Sequence, residues 1–228
     1  MFRNVLLFAG LCLYLANLSA QESFERSLNS FSRLVVGDKV IVRLIKADKE
    51  SANIKVQGID ASAVKTDVAD NTLTISIYGE PFTKKKVMVT LHYVTINTIT
   101  VTGGAEVSTG SLFKAESLSV DLKSGGMLYL DCDIEYLSGK IIEGSTLTAE
   151  GYATEQNMVI ATSGTLSAYD LESDKIKVKA TSGGKAKINV EEELDAEAGS
   201  KGYISYKGSP SKINRNVSSG GTITVYQP

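Results

Sequence analysis

Three carboxylates come nearest to a chemical site in this chain of 228 residues. Asp131 and Asp133 bracket Cys132, and Glu150 follows nineteen residues after Asp131. If the chain repeats at about that interval, the three share one outward surface. Such carboxylates suit a hard cation such as calcium, or the acids of a glycan-cleaving site. We favour a solvated acidic corner, because the nonapeptide repeat that binds calcium in other proteins is missing from the sequence.

Other catalytic arrangements find little support in the sequence. His92 is the sole histidine, so a His-pair metal site cannot form and any Ser-His-Asp or Cys-His set would have to use it. It stands in an alternating segment, where a lone histidine is usually structural. The sequence has no glycine-rich phosphate loop that follows a strand and opens a helix. We therefore predict a protein that is not an enzyme and uses no cofactor.

Outward-facing polar and aromatic positions offer a binding surface instead. Tyr152, Tyr169 and Tyr203 lie near turns, where a tyrosine either covers the rim of the core or stacks on a sugar. Mostly small side chains, several of them with hydroxyl groups, recur at outward positions: Tyr129, Thr148, Ser167, Lys187, Ser205 and Thr224. This set is typical of a solvent-exposed surface, and it could also contact a glycan or another protein.

The elements that position these residues repeat about every nineteen residues from Leu118 to Val225. Each unit has an alternating segment, a turn that usually contains glycine, and a second alternating segment. The inward sets of the first segment are Leu118/Val120/Leu122, Leu137/Gly139/Ile141, Met158/Ile160/Thr162, Ile176/Val178/Ala180, Leu194/Ala196/Ala198 and Ile213/Arg215/Val217. Those of the second are Leu128/Leu130, Leu147/Ala149, Leu166/Ala168, Ala186/Ile188, Ile204/Tyr206 and Ile223/Val225.

Alternation of period two predicts strands, and a fixed period over several copies predicts stacked coils. One such unit cannot bury its own apolar side, so stacking must do it. We therefore predict an all-β fold, a right-handed parallel β-helix or β-solenoid with coils of about 19 residues and a strand-rich N-terminal region. An antiparallel sandwich of short strands remains the alternative.

Composition and charge narrow the choice of partners. The chain is 43% hydrophobic with a formal net charge of -2, and no basic patch indicates nucleic acid. Lys84, Lys85 and Lys86 form the only positive cluster, which is typical of a solvated strand end.

Residues 1–20 have the features of a secretory signal peptide. A positive start at Arg3 precedes an apolar run that is too short to span a membrane, and cleavage is expected between Ala20 and Gln21. Lipidation at Cys12 is the alternative, although Leu11 before it is larger than lipoprotein signals prefer. The mature chain would keep one cysteine, Cys132, which cannot form an internal disulfide and is expected to pack inward.

The mature chain divides into three parts by pattern. We expect residues 21–30 to be a mobile lead, residues 31–102 to be a strand-rich region that begins or caps the solenoid, and residues 103–228 to be the repeats. The last coil reaches Ile223 and Val225 with no helix to cover it, so its strand edges predict self-association into a homo-oligomer.

Several segments carry a family resemblance over residues 31 to 226: 31–44 (FSRLVVGDKVIVRL), 52–58 (ANIKVQG), 70–75 (DNTLTI), 87–91 (VMVTL), 99–107 (ITVTGGAEV) and 118–126 (LSVDLKSGG). Together they resemble the head GIN domain family of auto-transporter adhesins. The resemblance implies a secreted or envelope-located, β-solenoid-like protein of Bacteroidetes-type bacteria.

Three functional hypotheses remain open. The first is an exported, non-enzymatic interaction protein in the periplasm, on the outer-membrane surface or outside the cell, which binds a glycan or an envelope protein through the solenoid and has no membrane-spanning segment when mature. The second is a polysaccharide-processing enzyme on a β-helix that uses Asp131 and Asp133. The third is a purely structural envelope module.

Overall fold

A computed structural model describes residues 22–79 and 86–227, and these ranges form an all-β structure. One 3₁₀ turn, Ala61–Ala63, interrupts the strands. The strands are β1 Glu22–Ser27, β2 Arg33–Val36, β3 Ile41–Lys46, β4 Ser51–Gln57, β5 Val64–Ala69, β6 Thr72–Ile77, β7 Lys86–Tyr93, β8 Thr98–Val101, β9 Glu106–Thr109, β10 Phe113–Leu122, β11 Met127–Ile141, β12 Thr146–Ile160, β13 Thr165–Ala180, β14 Lys185–Ala198, β15 Tyr203–Lys207, β16 Lys212–Val217 and β17 Thr222–Val225.

From β8 onward the chain winds as a β-solenoid of about seven turns with coils of about 19 residues. Successive coils pair in parallel, β10 on β11, β11 on β12, β12 on β13 and β13 on β14. Parallel pairing of sequential strands excludes the antiparallel sandwich and confirms the predicted solenoid. We call the strand segments in register with residues 117–122 face 1, and those in register with residues 127–134 face 2.

Each inward set of face 2 stacks as the sequence predicts. Leu128 pairs with Leu147 and Leu147 with Leu166, and all three side chains are buried. Cys132 is fully buried on the same inward side and is not in a disulfide. These like side chains fill the core along the solenoid axis and hold the coils in register.

On face 1, one predicted inward set is wrong by two residues. The partners of Leu137 and Gly139 in the next coil are Gln156 and Met158, so the set is Gln156/Met158/Ile160, and Thr162 belongs to the turn. The first members then step by 19, 19, 20, 18 and 19 residues, as those of face 2 do. The polar side chain of Gln156 concealed this regularity in the sequence.

Between the two faces, the chain turns through two successive residues with positive φ. Glu143 and Gly144 have φ of 55° and 70°, and Thr162 and Ser163 have φ of 49° and 62°. Two left-handed residues in succession are typical of type I′ turns, which favour glycine. The turns at Glu143 and at Lys201, which lack the Ser-Gly-Gly pattern, therefore keep the same backbone conformation.

The N-terminal coils are not stacked in chain order. The coil β2–β3 lies between the coil β6–β7 on one side and β8–β9 on the other. Strands β4 and β5 then pair antiparallel with β7 and β6 at the end of the stack. The predicted boundary at residues 102 and 103 falls in the turn between β8 and β9, so coil strands occur on both sides of it.

The predicted mobile lead also differs from the structure, because Glu22–Ser27 forms β1, which pairs antiparallel with β4. The Arg26 guanidinium crosses to the β5 side, where it donates to the backbone oxygen of Val64 at 2.7 Å and to Oγ1 of Thr66 at 2.9 Å. It also lies 5.0 Å from the ring centroid of Phe24, which packs partly buried against the core. These contacts cover the N-terminal end of the solenoid.

The last coil, β16 and β17, exposes apolar side chains at inward positions. Ile213, Val217 and Val225 are 42%, 53% and 48% exposed, although the residues they stack on in the preceding coil are buried. Within residues 22–79 and 86–227, no helix is long and apolar enough to cross a membrane. Residues 1–20, including the expected signal peptide and Ala20, and Gln21 lie outside the described residues.

Candidate binding groove on the second face

The acidic residues singled out in the sequence lie on face 2 but do not form a metal site. Asp131 is in register with Glu150, as the nineteen-residue spacing predicts, whereas Asp133 is in register with Tyr152. Asp133 forms an ion pair with Lys114 at 2.9 Å. Across the described ranges, no group of three His, Cys, Asp or Glu side chains is arranged to hold a metal ion.

Two further residues from the sequence analysis have structural contacts. The Nδ1 atom of His92 lies 3.3 Å from the Oγ of Ser51 on the neighbouring strand. Tyr152 faces Asp174, and a hydrogen bond to that carboxylate raises the pKa of the phenol. Ser51 and His92 pair a hydroxyl with an imidazole, but within residues 22–79 and 86–227 no carboxylate is hydrogen-bonded to His92 to complete a catalytic triad.

The outward surface of face 1 is covered by charges that neutralise one another between coils. Lys175 pairs with Glu155 at 3.2 Å, and Lys179 pairs with Glu197 at 2.7 Å. Lys212 also pairs with Glu193 on this face. Because these pairs are exposed, each stabilises the fold by at most about 1 kcal/mol. Their main consequence is that face 1 offers little uncompensated charge to a ligand.

Face 2 differs because β13 has a bulge that begins at an outward-facing tyrosine. The register between β12 and β13 shifts between Thr148 and Glu150, and that between β13 and β14 shifts between Ala168 and Glu172. The extra residues of β13 begin with Tyr169. β-Bulges are common next to functional sites, and here the Tyr169 ring extends across β14 to Ser205 on β15.

The Tyr169 ring is held in place by contacts with two later coils. Its phenol lies 2.7 Å from the Oγ of Ser205, and its ring centroid lies 4.7 Å from that of Tyr226 with the rings tilted by 50°. Ser205 belongs to the outward ladder, yet it is 2% exposed because this aromatic pair covers it. The ring is therefore fixed before any ligand arrives.

A groove of about 470 Å³ opens beside this aromatic pair. This volume falls within the roughly 300–1,000 Å³ that is typical of small-molecule sites. Its lining combines aromatic rings, hydroxyl groups, an amide and one lysine, contributed by Tyr169, Lys187, Tyr203, Ser205, Thr224, Val225, Tyr226 and Gln227. The groove presents flat apolar surfaces beside hydrogen-bonding groups, which suits a polar ligand that also has apolar faces.

The sequence identified part of this groove. Tyr169 and Tyr203 were predicted to stand near turns, and Lys187, Ser205 and Thr224 were predicted on one outward ladder, which the strand register confirms. Tyr152 lies apart from the groove lining. Tyr226 was missed because it follows the last strand, and its proximity to Tyr169, 57 positions earlier in the chain, depends on the stacking of coils.

Two of three comparisons with known proteins find matches, one for the family and one for the fold. The family profile described as "Putative auto-transporter adhesin, head GIN domain" matches residues 30–210. No curated protein matches the chain. Similar solved structures come from Bacteroides and Parabacteroides species.

A crystal structure described as a "putative adhesin" from Bacteroides fragilis superposes with a TM-score of 0.82 at 20% identity, over 91% of this chain and 97% of the other. One from Parabacteroides merdae, also described as a "putative adhesin", gives 0.74 at 17% identity, over 91% and 96%. A third, described as a "Putative lipid binding protein" from Parabacteroides distasonis, gives 0.73 at 16% identity, over 91% and 97%.

At these identities the structures establish the fold alone, and the family rests on the profile, which spans residues 30–210 of the 228. An adhesin family implies a surface-located or exported protein and suggests one that is not an enzyme. The profile match over most of the chain therefore places it in the family described as "Putative auto-transporter adhesin, head GIN domain".

Proposed function

We propose that this chain is an exported, non-enzymatic interaction protein of the cell surface that binds a glycan through the groove beside Tyr169. The observation that carries this proposal is the pair of contacting rings, Tyr169 and Tyr226, on the outer surface of a polar solenoid face. Aromatic rings are the side chains that most often stack on the apolar face of a sugar.

The physical reason lies in the surface of a pyranose. Its C–H groups form a flat, weakly positive face, which meets the negative face of an aromatic ring favourably. Its hydroxyl groups need partners at the edge of the ring, and Thr224 and Gln227 line the same groove. Because Tyr169 is already fixed by Ser205, ordering it costs little conformational entropy on binding.

The relative described as lipid-binding raises a second class of ligand. An acyl chain needs a continuous aliphatic surface, whereas the groove beside Tyr169 has Val225 as its only aliphatic lining residue. The lining therefore favours a glycan over a lipid. A protein partner on the same face is an alternative that the binding experiment below distinguishes.

The enzymatic alternative depends on Asp131, Asp133 and Glu150. Glycosidases use two carboxylates on either side of the scissile bond. Asp131 and Glu150 stand side by side on adjacent coils, and Asp133 is engaged with Lys114. The groove beside Tyr169 has no carboxylate in its lining. This arrangement favours binding without turnover.

A glycan array probed with the purified chain from Gln21 onward tests the proposal. We expect the wild type to bind a defined set of oligosaccharides, and Tyr226→Ala to lose that binding. Tyr136→Ala is the matched control, because Tyr136 is similarly exposed but lies outside the groove lining.

Three results would contradict the proposal. The absence of binding to any glycan would favour a structural module or a protein partner. If Tyr226→Ala binds glycan as tightly as the wild type, the groove beside Tyr169 is not the binding site. If the wild type releases oligosaccharide and the double variant Asp131→Asn with Asp133→Asn does not, the result would favour the enzymatic alternative.

Export is proposed to depend on residues 1–20. Mass spectrometry of the protein isolated from the native envelope should give an N-terminus at Gln21, because the apolar run ends at small residues that signal peptidase accepts. Recovery of a chain that retains Met1, or of a lipid on Cys12, would overturn it.

A further inference from the structure

The lysine in the groove lining differs from three lysines of face 1 that are paired with carboxylates. On face 1, Lys175, Lys179 and Lys212 each contact a carboxylate on the neighbouring coil. Lys187 is exposed, and its neighbours in register on the adjacent coils are Ser167 and Ser205. It forms no ion pair with any carboxylate of residues 22–79 or 86–227.

The charges around the groove leave a local positive excess. Lys187 and Lys207 have their Nζ atoms 5.8 Å from the centroid of the Tyr169 ring. Lys207 also approaches Asp170 at 3.8 Å, so its charge is partly compensated. The groove lining contains no Asp or Glu. Lys187 is therefore a cation whose natural counterion is missing from the surrounding coils.

We infer that the glycan bound beside Tyr169 is acidic, with a carboxylate or sulfate group that pairs with Lys187. This inference rests on the proposed function, because it assumes that the groove binds a sugar. A sugar stacked on the exposed part of the Tyr169 and Tyr226 pair would carry its ring substituents to within reach of an ammonium that lies 5.8 Å from the Tyr169 centroid. The ammonium is a flexible point charge that can meet either kind of anion.

The structure provides a matched control for this lysine. Lys185 lies two residues earlier on the same strand, is also exposed, and does not line the groove. Lys187→Gln and Lys185→Gln each remove one positive charge from β14. A change in the overall charge of the protein would affect both variants alike, whereas loss of a specific contact would affect only Lys187→Gln.

The test measures binding of three probes to the chain from Gln21 onward: a galacturonic acid oligomer, a sulfated galactose oligomer, and their neutral galactose counterpart. We expect the wild type to bind at least one acidic probe more tightly than the neutral one. Lys187→Gln should weaken that binding about tenfold, since a charge-assisted contact is lost. Lys185→Gln should match the wild type, and comparison of the two acidic probes identifies the anion.

The outcomes separate this inference from the proposed function. If the neutral probe binds as tightly as both acidic probes and Lys187→Gln has no effect, the acidic specificity is wrong while glycan binding stands. If Lys185→Gln loses as much as Lys187→Gln, the attraction is non-specific and the inference fails. If no probe binds and the glycan array is also negative, both proposals fail. Matching thermal unfolding curves for the variants would confirm that neither is misfolded.

Discussion

The Nε2 atom of Gln156 donates a hydrogen bond to the Oγ of Ser173 over 2.6 Å, inside the otherwise apolar core of the solenoid. Gln156 is 2% exposed and Ser173 is fully buried. Gln156 stacks between Leu137 and Ile176, and its Oε1 atom has no partner among the described residues. The two residues are therefore an isolated buried polar pair, held by a single hydrogen bond.

This buried pair predicts that a single substitution destabilises the fold more than a double substitution does. Ser173→Ala should destabilise the fold by about 1–3 kcal/mol, because it leaves the buried Gln156 amide without its acceptor. Adding Gln156→Leu should recover most of that loss. It removes the amide that has lost its partner and places a leucine beside Leu137 of the preceding coil. Urea unfolding of both variants tests this. A double variant less stable than Ser173→Ala would show that the amide has another partner.

The leucine ladder of face 2 predicts a large loss from one charge. Leu147 is buried between Leu128 and Leu166, which lie one coil spacing of about 4.8 Å away on either side. Leu147→Asp should cost several kcal/mol, because the carboxylate enters the core without a partner. Thr148→Asp, on the outward side of the same strand, is the control. An unchanged melting temperature for Leu147→Asp would contradict the register.

Gly144 and Gly151 both have positive φ, but replacement by alanine should destabilise the fold by different amounts at the two positions. A Cβ on Gly151 would lie 2.1 Å from the backbone oxygen of Cys132, whereas a Cβ on Gly144 would meet nothing within 4 Å. Gly144→Ala should therefore cost only the strain of a left-handed residue, about 1–2 kcal/mol. Gly151→Ala should cost more, since the backbones of two coils must separate. Equal melting temperatures for the two variants would argue against this close approach.

Alkaline pH should destabilise the fold through Cys132. Burial, together with the charges of Asp131 and Asp133, raises the pKa of this thiol from 9.0 to about 12. Because the pKa is higher in the folded chain, the unfolded chain loses its proton first as pH rises. The stability that the buried thiol contributes is full below about pH 9 and is lost as pH rises toward 12.

The measurement is the pH dependence of the free energy of unfolding between pH 9 and 12. Cys132→Ala should remove a slope of at most about 1.4 kcal/mol per pH unit. Tyr93, whose pKa burial also raises to about 12, remains in both proteins and contributes to the residual slope, as do Tyr152 and Lys175, whose pKa values are also raised. An identical slope in both proteins would mean that Cys132 is accessible to solvent in the fold.

The last coil predicts self-association through its open end. Ile213, Val217 and Val225 are exposed there, and among the described strands β16 pairs with β14 alone and β17 with β15 alone. A second copy could pair edge to edge about a twofold axis, which is the commonest symmetry of homo-oligomers. Arg215 occupies the inward position above the buried Ala196, and a charge at such a position weakens edge pairing.

Light scattering over a range of concentrations tests this. We expect a weak, concentration-dependent dimer for the chain from Gln21 onward, a tighter one for Arg215→Val, and a monomer for Val225→Asp. A monomer at every concentration for both the wild type and Arg215→Val would refute association through this end.

Much of the fold could be predicted from the sequence because stacking makes it periodic. Like residues such as Leu128, Leu147 and Leu166 recur where the next coil needs them, and alternation of period two indicates which side of the strand each faces. The family resemblance, the solenoid and the outward ladder through Lys187 and Ser205 were all available at that level. Gln156 was misread because a buried amide looks like a surface residue when its partner, Ser173, is unknown.

Tertiary structure alone decided the order of the first coils and the composition of the groove. Periodicity states which strands form a coil but not which coils are neighbours, so the position of β2–β3 between β6–β7 and β8–β9 depends on long-range pairing. The groove depends on the bulge at Tyr169, which arises where the register between neighbouring coils shifts. Alternation shows that Tyr169 faces outward, but a bulge shifts the register between coils, so only the packed coils determine which side chains its ring contacts.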